Sequence, residues 1–247
     1  MAVSIVSDLH IHSDQDPLYD GLLRLISTCS GGDTLVLAGD VFDLFVGNKR
    51  VFRDRYARFF EALRAAGARG VRTHYIEGNH DFHLKRAFAG VPGFELHSTS
   101  VEFSDGGRRF YVAHGDLVDP SDFGYRALRA LFRSLPIQAL AAALPGTAVD
   151  AIGRASSSYS RDQKPALPSE LPLERREKLR KTYRSFAAER LSHGFDFVVL
   201  GHCHDLDEMS FTCDGRMGQY INVGFPRVHG SYLSWSPGEE KIQREKL

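Results

Sequence analysis

The sequence predicts an α/β layered fold, because short runs rich in β-branched residues alternate with helical patterns. Strand-like runs occupy residues 2–7, 34–39 and 71–77. Between the first two runs, residues 19–29 carry apolar side chains at helical spacing. Residues 51–67 predict a single amphipathic helix that stops at Gly67. Helices that alternate with strands in this way cover the faces of a sheet.

The second half of the chain adds hairpins and one long helical stretch. Residues 101–115 predict two strands around a turn at Asp105, Gly106 and Gly107, and further strand patterns lie at 195–204, 208–224 and 231–245. Residues 119–194 carry helical patterns and no strand pattern. We expect a single domain over 1–247 with a helical insertion at about 119–194. The alternative for this stretch is an ordinary helical layer that covers the sheet.

Composition limits the class of protein. At 247 residues and 43% hydrophobic, the chain can bury one large core. Its 31 basic residues balance 31 acidic ones, so net charge gives no reason to expect nucleic acid, and no pattern indicates a protein partner. Three cysteines without CxxC spacing favour a reducing compartment. No apolar run approaches the ~20 residues that cross a bilayer, and Asp8 comes too early for a signal peptide, so we expect a cytoplasmic protein.

Polar side chains follow successive predicted strands at the point where each strand ends. They are Asp8 and His10, Asp40, Asn79 and His80, His114, and His202 and His204. Each alone is typical of a turn, but the ordered set indicates a site, because strand ends of an α/β sheet meet at one edge. Carboxylate, amide and imidazole donors together suit Mn²⁺, Fe or Zn²⁺. Two ions need one bridging carboxylate, and Asp40 is the natural bridge.

These motifs resemble the calcineurin-like metallophosphoesterases from residue 3 to about residue 226. The resemblance implies a four-layer α/β/β/α sandwich and two divalent metal ions, for which we expect Mn²⁺, with Fe or Zn²⁺ as alternatives. It places Asp8, His10, Asp40 and His204 around one metal, and Asp40, Asn79, His114 and His202 around the other. It also implies that His80 is a catalytic residue that meets the phosphate. Asp81 is expected to orient His80 or a ligand, or to serve as a turn residue.

A closer likeness lies in SDLH, LAGDVFDLF, EGNHDFHL and HGDLVDPSDFGYRALR, which resemble the UDP-2,3-diacylglucosamine pyrophosphohydrolases of lipid A synthesis. Those enzymes cleave a UDP-linked lipid to a lipid monophosphate and UMP, and a helical insertion after the HGD strand holds the acyl chains. The resemblance implies substrate contacts from Asn79, His80, Asp122, Tyr125 and His202. Arg154, Arg161 and Lys164 are further candidates.

One departure keeps other functions open. Many of those pyrophosphohydrolases have Arg where this chain has His80, which favours a phosphoesterase or nucleotide pyrophosphatase with a small soluble substrate. A non-catalytic scaffold would have lost ligands, and every ligand is present here.

The stretch 122–157 also has open interpretations, because its apolar residues accompany Arg126, Arg129 and Arg133 at helical spacing. Such a helix suits the cytoplasmic face of the inner membrane, where the arginines meet anionic headgroups and the protein associates peripherally. It also suits an acyl pocket, or packing on the core.

Overall fold

The computed structural model describes residues 1–163, 167–213 and 215–247. The strands are β1 (Val3–Val6), β2 (Thr34–Leu37), β3 (Phe45–Val46), β4 (Arg72–Ile76), β5 (Asp81–Phe82), β6 (Phe94–His97), β7 (Ser100–Asp105), β8 (Arg108–Ala113), β9 (Phe197–Leu200), β10 (Glu208–Cys213), β11 (Arg216–Asn222), β12 (Ser231–Trp235) and β13 (Gln243–Lys246). The helices are α1 (Pro17–Thr28), α2 (Arg50–Arg55), α3 (Ala57–Ala68), α4 (Phe123–Phe132), α5 (Leu135–Ala143), α6 (Gly146–Gln163), α7 (Leu173–Ser192) and α8 (Pro226–His229).

Two large sheets form the centre of the molecule. The first has the order β13-β12-β1-β2-β4-β6, and the second has the order β10-β11-β9-β8-β7. Strands β1, β2, β4 and β6 run parallel to one another, as do β8, β9 and β11. The carboxyl ends of these parallel strands carry the loops that hold the predicted ligands.

Three apolar clusters order the molecule into four layers. Val6 and Leu37 pack against α1 and α3 on the outer face of the first sheet. Val3, Ile5 and Val36 face the second sheet across the middle cluster. The outer face of the second sheet packs against Tyr183, Ala187 and Leu191 of α7. Because β1 and β2 are buried on both faces, they read as continuous apolar runs. The predicted four-layer α/β/β/α sandwich is confirmed.

The helices between β8 and β9 have two different positions. Helix α7 packs on the outer face of the second sheet. Helix α6 instead packs beside α2, where Arg55 pairs with Asp150 at 2.7 Å and Val149 joins the first apolar cluster. Helices α4 to α6 therefore lead from the second sheet to the helical layer of the first.

Two local predictions need correction. The helix predicted over 51–67 is broken at Tyr56, whose backbone (φ −111°, ψ 30°) separates α2 from α3. The Tyr56 ring is buried, and its centroid lies 4.0 Å from that of the Phe42 ring. The Tyr56 hydroxyl donates to the Ile11 carbonyl at 3.1 Å. Since neither Gly nor Pro marks the break, tertiary packing decides it. The sequence patterns also missed the short strands β3, β5 and β6, which depend on pairing with distant partners.

Candidate metal centre

The seven predicted metal ligands converge although they are spread over almost two hundred positions. Donor atoms of Asp8, His10 and His204 lie within 4.8 Å of one another, and so do those of Asp40, His114 and His202. His10 Nε2 lies 3.9 Å from Asp40 Oδ2, which joins the two groups. The last ligand, Asn79, places its Oδ1 3.1 Å from His114 Nε2. Asp40 therefore lies between the two groups of donor atoms.

The ligand loops hold an unusual backbone conformation. Within the described residues, six side-chain-bearing residues have positive φ, and five are predicted ligands: Asp8, His10, Asp40, His202 and His204. The left-handed region is costly for such residues, and it persists only where surrounding contacts enforce it. Sharp turns of this kind let side chains two positions apart, such as Asp8 and His10, serve one site.

One backbone amide and one hydroxyl group fix the Asp8 carboxylate. The His202 N–H donates to both of its oxygens, at 3.1 and 3.0 Å, and Ser7 Oγ donates to Oδ2 at 2.5 Å. A Cβ on Gly201 would collide with this carboxylate, and a Cβ on Gly78 would collide with that of Asp40. These two glycines, which precede Asn79 and His202, therefore leave space for a carboxylate from another loop.

Asp81 connects the two loops that carry Asp40 and Asn79. Its fully buried carboxylate accepts hydrogen bonds from the backbone N–H groups of Asp40 (3.0 Å), Val41 (2.8 Å) and Gly78 (2.8 Å), and from the Tyr75 hydroxyl (2.6 Å). Burial raises the pKa of Asp81 to about 7, and Asp40 adds to this rise, against four donors that favour the ionised form. Asp81 is thus placed to position the ligand loops through their backbone N–H groups.

Hydrogen bonds also orient the histidines. His114 Nδ1 lies 3.1 Å from the Ala38 carbonyl, so this nitrogen donates and Nε2 faces the site. The His204 ring stacks on Phe225 with centroids 4.2 Å apart, which fixes the plane of the ring. His202 Nδ1 lies 3.2 Å from His114 Nε2. Ring nitrogens are thereby held pointing into one small volume.

Burial and neighbouring charges shift the pKa values of the buried groups of the centre in different directions. Burial lowers the pKa of His114, but the Asp40 carboxylate outweighs this and raises that pKa to about 10. Burial would raise the pKa of Asp40, yet His114 holds it well below its usual range. Burial lowers the pKa of His10 to about 3 and that of His202 to about 4, so both rings are neutral and able to donate a lone pair.

The donor set fits divalent metal ions. His10 Nε2 is buried and has no hydrogen-bond partner among the described residues, which is costly unless a cation accepts its lone pair. Two buried carboxylates, one amide and four imidazoles provide hard and borderline donors for two ions. The His and Asp groups of this centre can therefore hold divalent metals.

His80, the predicted catalytic residue, lies beside this donor set. One of its ring nitrogens is within 4.8 Å of donor atoms of His10 and Asp40, and its ring is 4.9 Å from that of His10. Its Nδ1 lies 2.9 Å from the Asp43 carbonyl, and its backbone N–H donates to Asp40 Oδ1 at 2.9 Å. These contacts hold the imidazole at the border of the metal centre, where it can meet a ligand of the ions.

The two predicted substrate residues of the insertion have different surroundings. Asp122 is exposed and caps α4, where its side chain accepts from the Tyr125 N–H at 2.9 Å. Tyr125 lies near the centre, with its ring 5.8 Å from that of His202 and its hydroxyl donating to Asp116 Oδ2 at 2.6 Å. Asp122 therefore has a structural role in starting the helix, whereas Tyr125 borders the ligands.

The sequence interpretation missed Asp116, although it stands two positions after His114. It is buried and accepts from both Tyr125 and Arg129 Nε, the latter at 2.7 Å. Arg133, one turn further along α4, donates to Glu77 Oε2 at 2.7 Å and to the Gly78 carbonyl at 3.0 Å. The acidic residue in the HGD motif was the available signal.

These contacts correct the expectation that the arginines of α4 face anionic headgroups. Arg126 donates to the Leu117 carbonyl, and Arg129 and Arg133 are paired with buried acids of the ligand loops. The apolar side of the same helix faces outward, with Leu131 55% and Phe132 43% exposed. The helix therefore presents its polar side to the protein.

Of the three further basic candidates, Arg154 is the one whose side chain the structure describes. Arg154 pairs with Asp150 in its own helix, at 2.8 Å. The side chain of Arg161, and Lys164 altogether, lie outside the described residues.

In the described ranges, no single helix has the length and apolar character to cross a bilayer, although Leu135–Ala143 and Gly146–Ala155, bent by 120°, meet that criterion as a pair.

Comparison with known proteins agrees with this geometry. A profile described as Calcineurin-like phosphoesterase matches residues 1–206. The UDP-2,3-diacylglucosamine hydrolase of Aeromonas salmonicida is 30% identical over 253 residues, covering 100% of this chain and 94% of that protein. The hydrolase of the same name from Chromohalobacter salexigens is 27% identical over 243 residues, covering 96% and 90%.

Solved structures agree on the fold. An archaeal phosphodiesterase superposes with a TM-score of 0.50 at 12% identity, over 100% of both chains. This likeness concerns the fold alone, whereas the family profile spans most of the sequence and all seven predicted ligands. The chain therefore belongs to the calcineurin-like phosphoesterases, and it is a metal-dependent phosphoester hydrolase, as the resemblance of its motifs implied.

Proposed function

We propose that this hydrolase cleaves the pyrophosphate of UDP-2,3-diacylglucosamine, releasing UMP and the lipid monophosphate lipid X. Relatives that carry the name of this activity align with nearly the whole chain. In this proposal residues 1–247 form a single metallophosphoesterase domain, and the helical insertion at about 119–194 serves the lipid.

The observation that carries this proposal is the outward apolar face of α4 next to the metal centre. Asp116 and Glu77 hold the polar side of the helix against the ligand loops. As a result Leu128, Leu131 and Phe132 remain between 43% and 55% exposed. Exposed apolar side chains on one face of a helix are typical of a surface that binds an apolar ligand. Acyl chains of a substrate whose pyrophosphate lies at the metals would meet this face.

In this proposal, different side chains of the centre bind the metals, transfer a proton and contact the substrate. We assign the first metal to Asp8, His10, Asp40 and His204, and the second to Asp40, Asn79, His114 and His202, with Mn²⁺ as the native ion. Bound cations would neutralise charge on the phosphoryl oxygens and favour deprotonation of the attacking water. His80 protonates the leaving oxygen or neutralises developing charge. Asn79, His202 and Tyr125 border the space for the substrate phosphates.

The same apolar face supports peripheral association with the cytoplasmic side of the inner membrane, where a diacylated substrate resides. An apolar helix face that enters the acyl boundary gains free energy in proportion to its buried area. Since the α4 arginines are occupied by Asp116, Glu77 and backbone carbonyls, we base this association on apolar contact.

The proposal is tested by supplying purified, Mn²⁺-loaded protein with UDP-2,3-diacylglucosamine and with UDP-N-acetylglucosamine, which lacks the acyl chains. We expect UMP and lipid monophosphate by mass spectrometry, with kcat/KM at least about a hundredfold higher for the acylated substrate, since each buried methylene stabilises by about 0.8 kcal/mol. Asp40→Ala protein is the inactive control. Equal rates on both substrates would contradict the lipid assignment.

His80 supports a second candidate, a phosphoesterase or nucleotide pyrophosphatase for a small soluble substrate. It stands where many UDP-2,3-diacylglucosamine pyrophosphohydrolases have Arg, and an imidazole is smaller than a guanidinium group. This candidate is favoured if small nucleotide pyrophosphates are hydrolysed faster than the acylated substrate in the same assay.

A further inference from the structure

A second group of metal-ligating side chains lies outside the catalytic centre. It consists of His74 on β4 and of Glu95 and His97 on β6, and one donor atom of each lies within 4.8 Å of the others. His74 Nδ1 is 3.1 Å from His97 Nε2 and 3.5 Å from Glu95 Oε2, and His97 Nε2 is 3.8 Å from Glu95 Oε2. None of the three belongs to the predicted catalytic ligands.

Strand pairing brings these side chains to one face of the first sheet. In the parallel pair β4–β6, His74 is opposite Glu95, and Ile76 is opposite His97. Because side chains two positions apart on a strand share a face, His74, Glu95 and His97 project from the same side. The group is therefore built into the sheet edge, since β6 is the outermost strand.

The distances suit a tetrahedral ion. Zn²⁺ bonded to nitrogen and oxygen at about 2.0–2.2 Å sets its ligand atoms about 3.3–3.6 Å apart. The three observed separations, from 3.1 to 3.8 Å, bracket this range. The three donor atoms can therefore bind a cation after side-chain movements of a few tenths of an ångström. The three donors form one face of the tetrahedron, and solvent reaches the fourth position because the Glu95 side chain is 68% exposed.

The surroundings of His74 and His97 orient one ring and keep both rings neutral, which favours metal binding. The His74 ring is mostly buried and stacks on Phe103 with centroids 5.4 Å apart, which fixes its orientation. Burial lowers the pKa of His74, and burial also lowers that of His97, so both rings offer lone pairs at neutral pH. The Glu95 carboxylate supplies the negative charge that favours a cation at this point.

We propose that His74, Glu95 and His97 form a third metal site that takes a borderline divalent cation such as Zn²⁺. Two imidazoles and one carboxylate favour Zn²⁺ over the harder Mg²⁺ or Ca²⁺. An ion there cross-links β4 to the edge strand β6.

The location gives such a cross-link a structural consequence. The residue after His97 is Ser98, whose carbonyl accepts from Arg129 of α4 at 2.8 Å, and the His97 carbonyl accepts from the Glu77 N–H at 2.9 Å. Glu77 in turn accepts a hydrogen bond from Arg133, which caps the C-terminal end of α4. A metal ion at the third site would thus stabilise the ends of β4 and β6, which hold α4 through these hydrogen bonds.

The test is a count of bound zinc. Mn²⁺-loaded protein is dialysed against micromolar Zn²⁺, and zinc is measured in wild type, His97→Gln and Glu95→Gln. His193→Gln, which replaces an exposed histidine at the end of α7, is the matched control. We expect wild type and His193→Gln to bind one more zinc per chain than His97→Gln, and Glu95→Gln to bind this zinc at least about tenfold more weakly.

A thermal readout separates this site from the catalytic centre. Zinc should raise the Tm of wild type and of Asp40→Asn, which alters only the catalytic centre, but not that of His97→Gln. Turnover of a small phosphodiester with Mn²⁺ should be unchanged in His97→Gln and Glu95→Gln. The same zinc stoichiometry and the same Tm shift in wild type and His97→Gln would overturn the third site, whatever the outcome for the lipid substrate.

Discussion

The backbone N–H of Asp40 donates a 3.0 Å hydrogen bond to the carboxylate of Asp81, 41 positions further along the chain. The same carboxylate accepts from Val41 and Gly78. One buried acid therefore ties the loop of the proposed bridging ligand to the loop that carries Asn79 and His80, and the precision of the metal centre depends on it.

This relationship predicts the behaviour of Asp81→Asn. An amide offers one acceptor oxygen in place of two, so some of the four donors lose their partner, and we expect the free energy of unfolding to fall by about 1–3 kcal/mol. Metal affinity should fall about ten- to a hundredfold as the Asp40 loop loosens. Urea unfolding and metal titration measure the two effects. Asp14→Asn, an exposed change, should alter neither, and an Asp81→Asn protein with wild-type metal affinity would contradict the positioning role.

Asp40→Ala tests the bridge itself. Its carboxylate lies 3.9 Å from His10 Nε2 and 3.5 Å from His114 Nε2, between the two ligand groups. We expect this variant to lose turnover and at least one of the two ions, measured by metal analysis. In wild type, chelation should abolish activity, and Mn²⁺ should restore it best. Retention of both ions and normal turnover in Asp40→Ala would refute the bridge.

His80→Ala separates catalysis from metal binding. We propose that His80 stabilises the transition state and does not bind metal. In His80→Ala, kcat should therefore fall by ~10² to 10⁴, the range of general acid–base catalysis, while both ions remain bound. Steady-state kinetics and metal analysis on the same sample check this prediction. Loss of an ion would instead assign His80 to the ligands.

Leu131→Asp and Phe132→Asp test the apolar face of α4. Both side chains are about half exposed, so the protein should fold, and turnover of a diacylated UDP-sugar should fall far more than turnover of a small chromogenic phosphodiester. Met217→Asp, at a similarly exposed position on β11, is the control and should spare both reactions. Equal loss on both substrates would indicate unfolding, and no loss on either would favour the small-substrate function.

The metal centre was predictable because its determinants are local. Each ligand directly follows an apolar strand, and parallel strands bring their carboxyl ends to one edge whatever the loops between them. Residue type then limits the chemistry to divalent cations. The sequence alone therefore determined which strand ends carry the polar side chains, and the resemblance of its motifs to a known family indicated the class of reaction.

Tertiary structure decided the features that depend on distant partners. The helix pattern of α4 has an arginine side and a leucine side but does not state which side faces the protein. The buried carboxylates of Asp116 and Glu77 decide it, because a desolvated acid requires a paired cation, and this turns Leu131 and Phe132 outward. The break at Tyr56 likewise comes from burial of its ring against Phe42. The group of His74, Glu95 and His97 exists only through the register of β4 and β6, since no local pattern fixes which residues two separate strands place opposite each other.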